Sequence, residues 1–559
     1  MHWHVYLLLG FCGFQLGGAA SVYDSTGRLN LSASCPDTFC HVNDQLVAYS
    51  STPALKLREL HLTNCSRQTV PWLVLNLTPG LRTLVVRNCA SYHIRKESLR
   101  PVANLTSLQM QRTSLGVLRD ELFTTVPRLE ILELGHNTIH TVHSAAFTGL
   151  AKLRFLGLQS NGIQEIPAKT FDPLPNLWHL DLSGNQLTNL REDIFAKNAQ
   201  LQTLMLNGNH LTTLLPGTVG SLPNLRLLDL GHAGELDNLM MTLSSIQSLI
   251  LEDSKLSGLV ISGSVIRLHA ANNELNHIQL GNKSLVVEMD LRGNLLDGSA
   301  IAVLLRGMWN LERLDLSKNM IESLPMHGNG PNDGPYSQEL FLLPRLKYLN
   351  LAHNRVVRLP PDSPILSSHL KILDLSHNLM LTLEVESLTG LPDLESLFLE
   401  GNRLSSFDYQ VFHQQHESLK ELGLGMHDNS WRPGLYHKMY TYLNDRGVHL
   451  QGNTPQASSG QVEVDWPPTE GQAEAQKLDR VGVSGIHPYW TLRDILAFVT
   501  LLVVLAILLM NLYNILEEEG CLRRLRRWRR SNVPGGATTA TRTSARRLNE
   551  QDSEPSSSE

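Results

Sequence analysis

Histidine, carboxylate and cysteine side chains are the groups in this chain with chemistry to offer, and their spacing decides what that chemistry is. The 559 residues include 23 His, 53 Asp and Glu, and 6 Cys. A phosphate loop needs clustered glycines before a lysine, a hydrolase elbow needs Gly-x-Ser-x-Gly, and a zinc peptidase needs His-Glu-x-x-His; none of these motifs occurs. No Cys-x-x-Cys pair or His/Cys cluster reads as a metal site, and no cofactor is called for. His136, His353 and His377 each stand directly before a recurring asparagine (Asn137, Asn354, Asn378), which makes them surface turn residues too dispersed for one metal site. Enzyme chemistry is not expected. The element around those histidines is the informative one.

That element is a line of four leucines or isoleucines and an asparagine. Leu129, Leu132, Leu134, Asn137 and Ile139 return as Leu153, Leu156, Leu158, Asn161 and Ile163, and again from Leu177 and from Leu201, always 24 residues on. This is the leucine-rich-repeat pattern LxxLxLxxNxL. The LxL core alternates in and out as a short strand does, and the asparagine can bond backbone groups of neighbouring coils at the turn. One coil cannot cover its own leucines, so coils stack. The fold class expected is an α/β repeat: a solenoid of about 16 coils over residues 53–426, with a curved parallel sheet on its concave face, an arc roughly 75 Å long at about 4.8 Å per strand. After Leu225 the starts at Ile246, Val265 and Val286 fall 21, 19 and 21 residues apart, and such short coils should carry extended chain instead of helix on the convex side. A Gly/Pro/Asn cluster at residues 326–336 reads as an exposed loop.

Side chains between and beside the strand leucines point away from the core and are the candidate ligand-binding set. They are Glu133, Phe155, Gln159, Asp181, Asn207, Asp229, His269, Asp290, Arg292, Arg313, Asp315, Tyr348, Asn350, Asp374, Phe398 and Glu400. Some of the aspartates should be structural, while Phe155, Tyr348 and Phe398, taken as exposed aromatics, favour a protein partner. An open arc offers no closed pocket for a small molecule.

The two ends place this solenoid. Residues 1–20 resemble a secretory signal, and residues 495–516 form an uncharged run long enough to cross a bilayer. Six arginines from Arg523 to Arg530 follow it, so residues 517–559 are expected to be a short, basic, disordered cytoplasmic tail. An N-terminal cap at 21–52, a C-terminal cap at 427–451 and a flexible stalk at 452–490 complete the layout. The expected localisation is the plasma membrane, single-pass type I, with the N-terminus extracellular. Sequons at Asn30, Asn64, Asn76, Asn104 and Asn282 all precede the apolar run and agree with secretion. Cys35 and Cys40 suit a bridge in the N-terminal cap. Cys65 and Cys89 take the asparagine place in adjacent coils, where either a second bridge or two buried thiols fits. Cys521, at the inner boundary, is a candidate for S-acylation. A net charge of -6 gives the whole chain no nucleic-acid character.

With these residues in place, the ectodomain resembles the leucine-rich-repeat surface proteins of animals, including Toll-type receptor ectodomains, over roughly residues 35–450. A narrower likeness is to the insect leucine-rich immune proteins, especially their transmembrane members. It rests on the turns Gly-His-Asn137, Ala-His-Asn354 and Ser-His-Asn378, on the short central repeats, and on the cap line from Leu424 to Trp431. That resemblance implies a role in innate immunity, often through partner proteins. The chain departs from it where Arg432 and Pro433 follow Trp431 with no cysteine, and where residues 451–489 lack coiled-coil heptads. The tail is too short for a Toll signalling domain. The expectation is therefore a cell-surface recognition protein or co-receptor binding a protein or microbial ligand, with homo- or hetero-oligomers open; a cell-adhesion or guidance molecule is the alternative.

Overall fold

A computed structural model describes residues 29–30, 39–43, 47–48, 57–64, 75–76, 78–89, 94–326, 343–361 and 363–451. The chain divides into two units, Met1–Ala473 and Glu474–Glu559, and all described residues lie in the first. Among the described residues no helix is long and apolar enough to cross a membrane. The candidate signal, stalk, membrane span and tail, with Cys35, Cys65, Cys521 and most of the 326–336 loop, lie outside them.

Outside the short coils, each leucine line forms a strand of three to five residues that pairs in parallel with the same line one coil on. Thus Ile131–Glu133 pairs with Phe155–Gly157, which pairs with His179–Asp181. The ladder runs without interruption from Phe39–Asn43 to His449–Gln451, and among the described residues no pairing joins its two ends. The strand leucines face inward and are fully buried, as Leu132, Leu156, Leu180 and Leu204 show.

A second inward column closes the core on the opposite side of the regular coils. Phe123, Phe147, Phe171 and Phe195 are fully buried and stack with ring centroids 6.4, 6.2 and 5.8 Å apart. The next place at the same period holds Val219, and there the regular coils end. In the short coils the far side is extended chain, as expected from their length. The 13-residue strand Asn238–Ile250 and the 12-residue strand Gly258–His269 pair along both sides of their coils, and His277–Leu280 joins them. Their corner depends on Gly263, whose φ of +116° and contact with the Leu243 carbonyl leave no room for a Cβ.

The turn asparagines tie coil to coil. Asn185 Nδ2 donates to the carbonyls of Leu158 (3.0 Å) and Leu182 (2.9 Å), and its Oδ1 accepts from Ile163 N–H at 3.1 Å. Asn209, Asn273, Asn294, Asn319, Asn354, Asn378 and Asn402 repeat the two donations. The last coil, which looks imperfect in the sequence, is completed from the cap: Asn429 donates to Leu399 and Leu424 and accepts from Leu404 N–H. The residue ahead of the asparagine takes a left-handed conformation (φ of 56°, 55° and 52° at His136, His353 and His377), so these histidines are turn residues. His353 and His377 also stack, with ring centroids 4.2 Å apart.

Coils with helix on the far side return at Gly298–Leu305, whose N-terminus Asp297 caps by accepting from Ser299 N–H (2.9 Å) and Ala300 N–H (2.8 Å). Replacing Asp297 with Ala should cost about 1 kcal/mol, read as a lower urea midpoint. The C-terminal cap helix Leu435–Asn444 buries Met439 and Leu443 one turn apart, and Trp431 Nε1 donates to the Gly425 carbonyl at 2.9 Å. At the other end Cys40 lies in register with Leu60. Cys89 is fully buried and disulfide-bonded. Of the sequon asparagines, Asn64, Asn76, Asn104 and Asn282 are exposed, and Asn30 lies in the strand Leu29–Asn30.

Candidate functional site

Strand register sorts the candidate residues into rows across the solvent face of the sheet. One row contains Glu133, Gly157, Asp181, Met205 and Asp229, then Ile250, His269, Asp290, Asp315, Asn350, Asp374 and Phe398. Two residues earlier on each strand, a second row holds Phe155, His179, Thr203, Leu227, Ser248, Arg267, Glu288, Arg313 and Tyr348. Gln159, Asn207, Arg292 and Glu400 stand two residues beyond the first row, at the exit of their strands.

Most acids of the first row serve their own turns. A carboxylate oxygen accepts from the N–H two residues on at Asp181 (Ser183, 2.9 Å), Asp229 (Gly231, 2.9 Å), Asp290 (Arg292, 3.1 Å), Asp315 (Ser317, 2.8 Å) and Asp374 (Ser376, 2.9 Å). Asn350 does the same to Ala352 N–H. Packed beside neighbouring strands, these carboxyls are pushed up by burial: Asp229 to about 6 and Asp290 to about 7, while Asp181, Asp315 and Asp374 move in the same direction. These aspartates therefore serve the fold first.

The aromatics need correction. Phe155 and Tyr348, expected to be exposed, are only 9% and 6% accessible. Phe155 lies flat against His179, ring centroids 4.5 Å apart and 5° between planes, and burial lowers the His179 pKa to about 4. Tyr348 lies beneath Arg313, whose guanidinium carbon is 4.6 Å from the ring centre. In both cases strands about 4.8 Å apart hold neighbouring side chains close enough to cover each other. Phe398 keeps partial exposure.

The short coils and the two after them concentrate opposite charges that are not used up by turns. Glu288 accepts ion pairs from Arg267 (3.4 Å) and Arg313 (3.6 Å), one coil to either side, and Arg313 continues onto Tyr348. Burial raises the Glu288 pKa, and Arg313 and Arg267 pull against it. Beside this chain, Arg292 comes within 4.0 Å of Asp290, and Asn350 Nδ2 donates to Asp315 Oδ2 at 3.0 Å. Arg267, Glu288 and Glu252 were not among the residues singled out from sequence. Their only signal is position: each falls on the solvent face once the irregular register of the short coils is known. Glu133 and Gln159 form a separate pair far along the same face, joined at 3.1 Å, and Asn207, Asp229 and Glu400 sit apart from the central cluster in the ladder.

A second concavity lies on the side where chain enters the strands. It is an open groove of about 530 Å³, lined by Glu130, Lys152, Arg154, Asn176, Trp178, Gln200 and Gln202. Its residues belong to four consecutive regular coils.

Among known proteins, a family model described as a leucine rich repeat matches residues 103–163, 175–234 and 338–424. The unmatched interval between the second and third matches holds the short coils and the charged cluster. No curated protein matches the chain. Of solved structures, the Toll–Spatzle complex of Drosophila aligns with a TM-score of 0.53 at 20% identity, covering 70% of this chain and 57% of that one. The LRIM1/APL1C complex aligns at 0.49 and 19%, covering 89% and 81%, and a leucine-rich-repeat protein of Leptospira interrogans at 0.46 and 21%, covering 74% and 88%. The likeness to Toll is one of fold, and it agrees with the stacked parallel strands and asparagine ladder described above.

Proposed function

We propose that this leucine-rich-repeat solenoid is the recognition ectodomain of a plasma-membrane protein acting in innate immunity, and that it binds a protein partner over the solvent face between Ser248 and Asn350. The observation that carries the reading is the continuous Arg267–Glu288–Arg313–Tyr348 array, which crosses four coils with its side chains already held in place. Arginine and tyrosine supply much of the binding energy at protein interfaces, and side chains already ordered lose less freedom on binding. The Toll structure shows a complex with Spatzle; for this chain the assignment rests on its own face. Attachment by residues 495–516 as a type I span, sugars on the exposed sequons and a Cys65–Cys89 bridge belong to the same proposal.

Proximity labelling from the ectodomain on live cells tests it. A partner recovered with the native chain should fall by at least about tenfold with Arg313→Glu, because one buried arginine contact is worth that much. Lys152→Glu, in the lateral groove, should leave recovery unchanged. Equal recovery with Arg313→Glu would move the interface elsewhere. Clustering of expressing cells without added ligand would favour adhesion over immunity, whereas infection-responsive expression in blood cells without clustering supports the immune role.

A further inference from the structure

Glu252, His269 and Asp290 belong to three successive coils, yet one ligand atom from each lies within 4.8 Å of the other two. Register explains the convergence. His269 stands opposite Asp290 on the neighbouring strand and opposite Ile250 on the strand before, and Glu252 follows Ile250 by two residues. Glu252 thus reaches diagonally across one coil, a relation that separations of 17 and 21 residues along the chain conceal.

We propose that these three side chains form a binding site for a divalent transition-metal ion of the Zn²⁺ class. One imidazole nitrogen with two carboxylate oxygens suits such an ion better than Ca²⁺, which takes oxygen donors only, or Cu⁺, which takes sulfur. The backbone beneath the site is fixed: Leu251 N–H donates to the His269 carbonyl at 2.7 Å, and Ala270 N–H donates to the Asp290 carbonyl at 2.8 Å. His269 and Asp290 are buried. One Asp290 oxygen is occupied by Arg292 N–H at 3.1 Å, leaving Oδ2 for a ligand. Glu252 is half-buried, and its carboxylate accepts no hydrogen bond among the described residues. Donors about 2.1 Å from one ion stand at most about 4.2 Å apart, so rotation of the Glu252 side chain closes the set. Rigid strands supply the first two ligands and a movable side chain the third, an arrangement that tolerates small differences in ion size. Three protein ligands leave coordination positions toward the open side of the sheet, where water or a donor from another molecule completes the shell.

Arg292 is the competing explanation. Its guanidinium comes within 4.0 Å of Asp290 Oδ2, and its charge pulls the pKa of both carboxyls down against their burial. Were Arg292 the sole counter-charge, no ion would be needed.

Co²⁺ separates the two. The full-length chain, stripped with chelator, is titrated with Co²⁺ and followed by visible absorption, then back-titrated with Zn²⁺. The expected result is one equivalent of Co²⁺ with a visible band, displaced by Zn²⁺. Glu252→Gln, which removes no hydrogen bond and should fold normally, should weaken Co²⁺ binding by at least about tenfold. His269→Ala should abolish the band; if that chain does not fold, Glu252→Gln decides alone. Absence of a band in the native chain, or Co²⁺ uptake unchanged in Glu252→Gln, overturns the proposal. So does a band lost in His377→Ala and kept in His269→Ala, which would assign the ion to the stacked His353–His377 pair.

Discussion

Replacing Asn185 with Ala should destabilise the regular coils by about 1–3 kcal/mol, because it leaves the Ile163 N–H without a partner in a place water does not reach and removes one of the two side-chain donors from each of two carbonyls. Asn185 is 3% exposed; it is the acceptor for the Ile163 N–H, and it shares the Leu158 carbonyl with Asn161 and the Leu182 carbonyl with Asn209. Each buried polar group left unpaired costs about 1–3 kcal/mol. Asn185→Asp should be no milder, since a carboxylate keeps the acceptor but turns two donations into contacts between oxygens. The chain itself shows how an empty slot must be handled. Where Ala233 stands in the asparagine position, Leu211 N–H turns to the Ala233 carbonyl at 2.5 Å, and Ser254 Oγ donates to the Leu230 carbonyl at 2.9 Å. Beside Asn185, Asn161 and Asn209 keep one donor on each of the two carbonyls, but neither accepts from the Ile163 N–H. Hydrogen exchange would localise the loss to the coils from Leu153 to Leu211; native-like protection there in Asn185→Ala would contradict it.

The same comparison shows what could be read in the sequence. Coil boundaries, inward leucines, the asparagine turns and the extended far side of the short coils all follow from spacing, because a solenoid repeats one local solution. The phenylalanine column was equally periodic at Phe123, Phe147, Phe171 and Phe195, but it lies between the leucine lines and goes unnoticed when only those are followed. Asn429 escaped because two extra residues separate it from its strand, although its bonds are those of every other turn. The site is different. Whether a side chain on the solvent face meets a ligand or its neighbour depends on which residues stand beside it in the adjoining coils. Phe155 is covered because His179 follows it one coil on, and Glu252 meets His269 only through a diagonal set by a shortened coil. Lateral relations of this kind are fixed by register, and register was irregular where it mattered most.

Glu133 gives the second large effect, and it runs opposite to the usual behaviour of acids. This carboxyl is fully buried on the sheet face; Gly135 N–H (2.7 Å) and Gln159 Nε2 (3.1 Å) both donate to Oε1. Oε2 lies over Gly157 Cα, where any Cβ would displace it, and Gln159 Oε1, which has no donor, lies over the same glycine. Burial pushes the Glu133 pKa up from 4.5 to about 7, against the hydrogen bond from Gly135. The folded chain therefore holds this proton across a pH range in which the unfolded chain has released it. Its contribution to stability is complete below about pH 4.5 and is lost as pH rises through about 7. The full difference is on the order of 3 kcal/mol at about 1.4 kcal/mol per pKa unit. Glu133→Gln should remove the penalty, since a neutral amide keeps the acceptor for Gly135 and offers N–H groups toward Gln159 Oε1. Urea unfolding of both chains at pH 5 and pH 8 makes the check: the variant should match the native chain at the lower pH and exceed it at the higher. A variant that gains nothing at pH 8 would mean that ionised Glu133 finds water or a cation in the folded state. Glu400, raised to about 7 mainly by burial and lying over Gly423 in the same way, should then be tested next, because the same geometry makes the same demand.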